Sequence, residues 1–329
     1  MREPAFWHER DPYARRAAPV TRALLTPLAS LYAWAGARRI EKTTPFHADI
    51  PVICVGNLTV GGSGKTPVVA AIRRYFEQKG FRAASLSRGY KGELEGPLKV
   101  DFQTNTAREV GDEPLMLSCH GEAWIGADRP SAAKAMQADG VQLIIMDDGH
   151  QNPTLHKDLS LVVIDGGNPW GNGFVVPKGP LREPVQVGLS RADGVIIMGK
   201  SDHKITELSG FPGAVIQSGV VPTGKAPGGP LVAFAGIGRP QKFFDTLTSM
   251  GGELADTIPY PDHHTFSDAE VDWLRQLAQE RAANLITTEK DFVRLTVEQR
   301  RDILAFPVEA DLPTSDIDAF LAPVLKALS

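Results

Sequence analysis

The run Val55-Gly56-Asn57-Leu58-Thr59-Val60-Gly61-Gly62-Ser63-Gly64-Lys65-Thr66-Pro67 follows a short apolar stretch at 51–55 and opens a stretch of helical periodicity near 67–79. A glycine-rich turn from a buried strand into a helix aims backbone N–H groups and the positive end of the helix dipole at one point, where a phosphate binds. Thr59, Val60, Gly61, Gly62, Ser63, Gly64, Lys65 and Thr66 fall on the phosphate-loop pattern G-x-x-x-x-G-K-[ST], with Thr59 standing where the first glycine would be. In that pattern Lys65 reaches the β- and γ-phosphates of ATP, and the Thr66 hydroxyl ligates Mg²⁺. The plainer alternative is a glycine-rich turn bearing a solvent-exposed lysine.

Such a loop requires an α/β frame, and the rest of the chain supplies one. Apolar runs at 141–146, 161–164 and 195–198 are short and nearly continuous, as in strands covered on both faces. Helical stretches near 113–119 and 130–138 alternate with them. The run Leu143-Ile144-Ile145-Met146 ends in Asp147 and Asp148, carboxylates expected at the strand's C-terminal edge on the metal side of a nucleotide site. Their plainer role is to cap the following turn. Residues 166–191 are rich in Gly, Pro and Asn with little periodicity, which in a compact domain points to function. A Pro/Gly-rich linker before residue 228 leads into strand-like 231–235, 253–258, 284–288 and 303–308, with helices near 240–249, 267–281 and 315–327. The fold class expected is therefore α/β: a P-loop NTPase-like parallel sheet domain at 48–227, with a second, smaller α/β domain at 228–329.

Residues 1–47 differ in charge from the body. They hold eight Lys/Arg against four Asp/Glu, net +4, leaving 27 against 35, net −8, in the remainder of the 329 residues. Arg22 and Arg38 bracket fifteen uncharged residues in which Leu24, Leu28, Leu31 and Ala35 recur at helical spacing, with Tyr32 and Trp34 among them and Pro27 placed near a helix start. Too short to span a bilayer, the segment suits an amphipathic helix lying in a membrane interface, flanked by Arg15, Arg16, Arg38 and Arg39. A leading helix packed on its own domain is the alternative. No run reaches the length of a membrane span, and the overall charge of −4 argues against a nucleic-acid binder. Two cysteines, Cys54 and Cys119, are too few for a disulfide framework, so a reducing compartment is expected.

Several longer motifs carry a family resemblance. Asp147-Asp148-Gly149-His150-Gln151 with Leu155 and Lys157-Asp158-Leu159, taken together with the phosphate loop, resembles the tetraacyldisaccharide 4′-kinases of lipid A biosynthesis. Ser87-Arg88-Gly89-Tyr90, Gly111-Asp112-Glu113-Pro114, Gly179-Pro180-Leu181-Arg182-Glu183, Asp262-His263-His264 and Thr288-Glu289-Lys290-Asp291 agree with it, from about residue 20 to 292. The resemblance implies an enzyme that transfers the γ-phosphate of ATP to the 4′-hydroxyl of a tetra-acylated glucosamine disaccharide 1-phosphate, making lipid IVA. It implies a peripheral protein on the cytoplasmic face of an inner membrane, with the smaller domain behind a hinge. It implies substrate or phosphate contacts at Arg129, Gln151, Arg182 and Glu183.

Phosphoryl transfer to a sugar hydroxyl asks for a carboxylate at the nucleophile. Asp112 is the candidate, and the resemblance places the base there with His263 in support, choosing His263 over His264. Asp-Glu-Pro also reads as a helix N-cap signature. The adjacent histidines sit too close in sequence for both to ligate one ion easily. Two rival functions use the same features: a P-loop ATPase acting as a membrane-associated switch, and a non-catalytic membrane adaptor anchored through 12–40.

Overall fold

The protein, seen in a computed structural model, is described for residues 4–11, 13–201, 204–238, 240–262 and 264–329. The strands are β1 (Val52–Gly56), β2 (Ala83–Ser87), β3 (Leu98–Val100), β4 (Ala123–Ile125), β5 (Leu143–Asp147), β6 (Leu159–Asp165), β7 (Gly194–Met198) and β8 (Ala214–Ser218), then β9 (Val220–Pro222), β10 (Pro230–Ala235), β11 (Glu253–Pro259), β12 (Asn284–Thr288), β13 (Ile303–Phe306) and β14 (Val308–Ala310). The helices are α1 (Pro19–Lys42), α2 (Lys65–Gln78), α3 (Ala107–Val110), α4 (Asp112–Ser118), α5 (Arg129–Ala138), α6 (Val185–Leu189), α7 (Pro240–Ser249), α8 (Asp268–Glu280), α9 (Glu289–Phe292) and α10 (Thr314–Leu328).

The larger sheet runs β3-β4-β2-β5-β1-β6-β7-β8, parallel except where β3 meets β4. Alternate residues of its central strands face two buried layers. Ile53 and Val55 meet Val68, Val69, Ile72 and Phe76 of α2, while Val52, Ile144 and Met146 meet Ala132, Ala133 and Met136 of α5. Burial on both faces is why these strands read as unbroken apolar runs. The smaller sheet, β11-β10-β12-β13, is parallel and covered by α8 on the Val232 and Phe234 face and α7 on the Leu231 and Ala233 face.

Two features differ from expectation. The chain returns after the smaller sheet: β14 pairs antiparallel with β9, and Ile317, Leu321 and Val324 of α10 lie in the α2 layer of the larger sheet. The amphipathic pattern of α10 marks a buried face without naming the sheet it covers. The second is α1, which begins at Pro19, so Pro27 lies inside the helix rather than near its start. Pro19 fills the first-turn position that tolerates a missing N–H.

Candidate active site

The phosphate loop leaves β1 at Gly56, where a Cβ would sit 2.5 Å from the His150 Cβ, so a side chain there would push β1 off the β5–β6 connection. Gly64, at φ +83°, turns the chain into α2 and places Lys65 first in the helix. Thr59 occupies the substituted position. It forms an antiparallel bridge with Leu181, flanked by Val60 N–H to Pro180 O at 2.8 Å and Arg182 N–H to Leu58 O at 2.7 Å. Thr59 is thus ordinary extended chain and needs no glycine. The aperiodic stretch 166–191 contributes this clasp over the loop.

Adjacent strand pairing brings the acids to the loop. Asp147 is the Cα partner of Val55, and Asp148 N–H donates to Val55 O at 2.9 Å. The Asp147 side chain is 2% exposed. Its Oδ2 accepts from Ser87 Oγ at 3.4 Å, and its Oδ1 has no hydrogen-bond partner among the described residues. Burial, with a contribution from Glu113, pushes its carboxyl up to about 7 against the pull of Lys65. Asp148 stands in the left-handed region at φ +53°. Its Oδ1 accepts from Arg182 Nη1 at 2.8 Å and lies 3.7 Å from Lys65 Nζ. Burial works against its charge, but Lys65 and Arg182 outweigh it and hold the carboxyl below the usual range. Two neighbouring carboxylates are thereby driven apart in acidity.

A buried carboxylate oxygen without a partner, beside the first turn of α2 where Thr66 sits, fits a hard divalent cation such as Mg²⁺. No group of three or more His, Cys, Asp or Glu able to hold a metal occurs among the described residues.

The expected substrate contacts separate. Gln151 Nε2 donates to Asn57 O at 2.8 Å and to Glu183 Oε1 at 2.9 Å. Both Glu183 oxygens also accept from Arg191 Nη2, Oε1 at 2.8 Å and Oε2 at 2.7 Å. With Arg182 on Asp148, this network lies against the loop. Arg129 does not reach the surface: it donates to the carbonyls of Ser87 and Gly126, and burial lowers its guanidinium to about 10 while Asp147 opposes that shift. Arg39 of α1 also reaches the network, donating to Gln151 O at 3.0 Å.

Asp112 opens α4, but the N-cap is Gly111 and no side chain caps the helix. The cap alternative is therefore not realised. Asp112 Oδ2 instead accepts from Arg294 Nε at 2.8 Å, a contact from the smaller sheet's side of the molecule. His263 lies outside the described residues. His264 stacks on Tyr260 with centroids 4.6 Å apart, and its Nε2 is 2.9 Å from Glu270 Oε1. Asp262 lies 3.8 Å from Lys290 Nζ. Arg191 and Arg294 carry no mark in the sequence, and Arg39 stands out there only as a flank of the apolar segment, since each acts here through a fold-dependent contact.

The chain matches a family model described as LpxK, tetraacyldisaccharide-1-P 4′-kinase, over residues 21–326. It is 55% identical to the tetraacyldisaccharide 4′-kinase of Hyphomonas neptunium, covering 99% of this chain and 98% of that one. It is 48% identical to the protein of the same name from Maricaulis maris, covering 99% and 97%. Among solved structures it resembles the "apo" form of LpxK from Aquifex aeolicus in complex with ATP, with a TM-score of 0.74 at 25% identity, covering 94% of this chain and 99% of that one.

Proposed function

The chain belongs to the tetraacyldisaccharide-1-P 4′-kinase family, and from that premise we propose how its own residues carry out the ATP-dependent 4′-phosphorylation of lipid A synthesis. The acceptor is the 4′-hydroxyl of a tetra-acylated glucosamine disaccharide 1-phosphate, and the product is lipid IVA. The observation that carries the reading is the juxtaposition of Lys65, Asp147 and Asp148 at the paired ends of β1 and β5. The loop 59–66 wraps the phosphates, Lys65 neutralises their developing charge, and Asp148 with Arg182 aims the Lys65 ammonium. Thr66 and Asp147 would hold Mg²⁺, which would supply positive charge to the transferring phosphoryl group. Asp112 takes the hydroxyl proton as the 4′-oxygen bonds to phosphorus and the bond to ADP breaks, with His263 in support. Gln151, Arg182 and Glu183 shape the acceptor side, and Arg129 backs Asp147 from within. The switch and adaptor readings give way to this one.

We further propose that α1 brings the enzyme to its lipid as a peripheral protein on the cytoplasmic face of the inner membrane. No helix among the described residues is long and apolar enough to cross a membrane. The outward face of α1 carries Val20, Leu24, Leu28, Leu31, Tyr32 and Trp34, all exposed, and Arg38 stacks over Trp34 at 5.6 Å. Such a stripe with flanking arginines favours an anionic interface, and Arg39 links its far end to Gln151. The test is mass spectrometry of the disaccharide 1-phosphate lipid in anionic vesicles after incubation with ATP, with and without Mg²⁺. Gain of one phosphate only when Mg²⁺ is present is expected. ATP hydrolysis that leaves the lipid unmodified would overturn the reading.

A further inference from the structure

Asp112 stands on the larger unit, yet the group that holds its carboxylate comes from the smaller one. Arg294 follows α9, and its side chain is 6% exposed. Its Nη1 donates to Asp291 Oδ1 at 2.8 Å and to Gly236 O at 2.9 Å, while Nε donates to Asp112 Oδ2 at 2.8 Å. Asp291 is itself buried and fixed, its Oδ2 accepting from Gly236 N–H at 2.9 Å and Thr288 Oγ at 2.7 Å. The smaller unit therefore sets the guanidinium plane independently of Asp112. A planar fork held on one arm presents its other donor in a fixed direction, which a flexible ammonium does not.

We propose that Arg294 is a positioning residue for phosphoryl transfer, holding the Asp112 carboxylate from across the junction between the two sheets in the orientation that receives the acceptor's proton. This rests on the reading of Asp112 as the base. It also makes completion of the base depend on the seating of the two units. Two further contacts brace that seating: His120 Nε2 lies 2.7 Å from Glu289 Oε1, and Arg300 lies over Phe102 at 4.5 Å.

The test is a double-mutant cycle on the full-length protein with vesicle-borne lipid. Arg294→Gln should lower kcat about 10- to 100-fold, the scale of a misplaced catalytic group, with the KM for ATP within about twofold of wild type. Arg294→Lys keeps the charge but loses the fork, so its kcat should fall between the two. In an Asp112→Asn background, Arg294→Gln should change the single-turnover rate by less than about threefold, because the group it acts through is gone. Should Arg294→Gln fail to fold, the Lys variant carries the test through the same kcat-against-KM split and the same background. Wild-type kcat in Arg294→Lys or Arg294→Gln, or an equal fold-loss with and without the Asp112 carboxylate, overturns the inference and leaves Arg294 as a brace between the units. If Asp112→Asn is itself nearly fully active, the base assignment falls and the inference falls with it. An inactive Asp112→Asn beside a fully active Arg294→Gln removes the inference alone.

Discussion

Helices α1 and α2 obey opposite rules. In α2, Val68, Val69, Ile72 and Phe76 are wholly buried against the larger sheet, and the N-terminal end continues from the glycine-rich loop at Gly64. In α1, the inward positions are Arg22 and Ala29, with Leu25, Ala33, Gly36 and Ile40 half-buried, while Leu24 is 74% and Trp34 59% exposed. Arg22 is spent on the carbonyls of Phe6 and Glu9. Packing thus accounts for the apolar face of α2 and not for that of α1. A continuous exposed apolar stripe marks a surface that meets another apolar phase. In the proposed function, reaction and substrate delivery are divided between the two helices.

Four experiments on the reaction and on the packing test that division. The largest effect is expected at Asp112, where Asp112→Asn should cut kcat about 10²- to 10⁴-fold with ATP affinity and melting temperature preserved. A mild change would remove the base from the account. Lys65→Ala follows, with kcat/KM lowered by roughly 3–4 kcal/mol of transition-state stabilisation and flotation with anionic vesicles unaffected. Loss of vesicle binding in that variant would join the two functions that the helices keep apart.

Paired truncations compare the helices directly. Ile72→Ala in α2 should cost about 2–5 kcal/mol in denaturant unfolding. Leu28→Ala in α1 should stay within about 0.5 kcal/mol, because its side chain is already half in solvent. Equal costs would mean that α1 is packed as tightly as α2. A more modest effect than that at Ile72 concerns Asp147, whose carboxyl is raised from 3.8 to about 7 by burial. Between those values the folded protein holds the extra proton, so stability falls as pH rises across the window. In metal-free protein, Asp147→Asn should therefore melt above wild type, by about 1–3 kcal/mol, with an advantage that grows from pH 4 to pH 7 and then levels off. An advantage independent of pH would contradict the burial of the charge.

The parts of this molecule written in local pattern were legible in the chain. β1, β5, β6 and β7 are apolar on both faces, and α7 and α8 carry clear stripes, so each announces itself without neighbours. β2 did not, because Ala83-Ala84-Ser85-Leu86-Ser87 is made of small and hydroxylated residues whose strand character comes from the partners on either side. The destination of α10 and the pairing of β14 with β9 depend on contacts between distant residues, which no window of sequence contains. The site divides in the same way. Lys65, Thr66, Asp147 and Asp148 are fixed by loop and strand-end chemistry. The buried position of Arg129 follows only from the strand ends it packs against within the larger sheet's unit, and the reach of Arg294 to Asp112 only from how the two units pack.

In the proposed function α1 presents the lipid and takes no part in the chemistry. That role is tested most directly by combining Leu24→Ser, Leu28→Ser and Leu31→Ser and measuring kcat and the lipid KM, first on anionic vesicles and then with the lipid dispersed in detergent micelles. The expected result is a vesicle lipid KM raised at least about tenfold, or about 1.4 kcal/mol, with kcat, the KM for ATP and the micellar lipid KM near wild type. An unchanged vesicle KM, with the variant still floating on the vesicles, would contradict it.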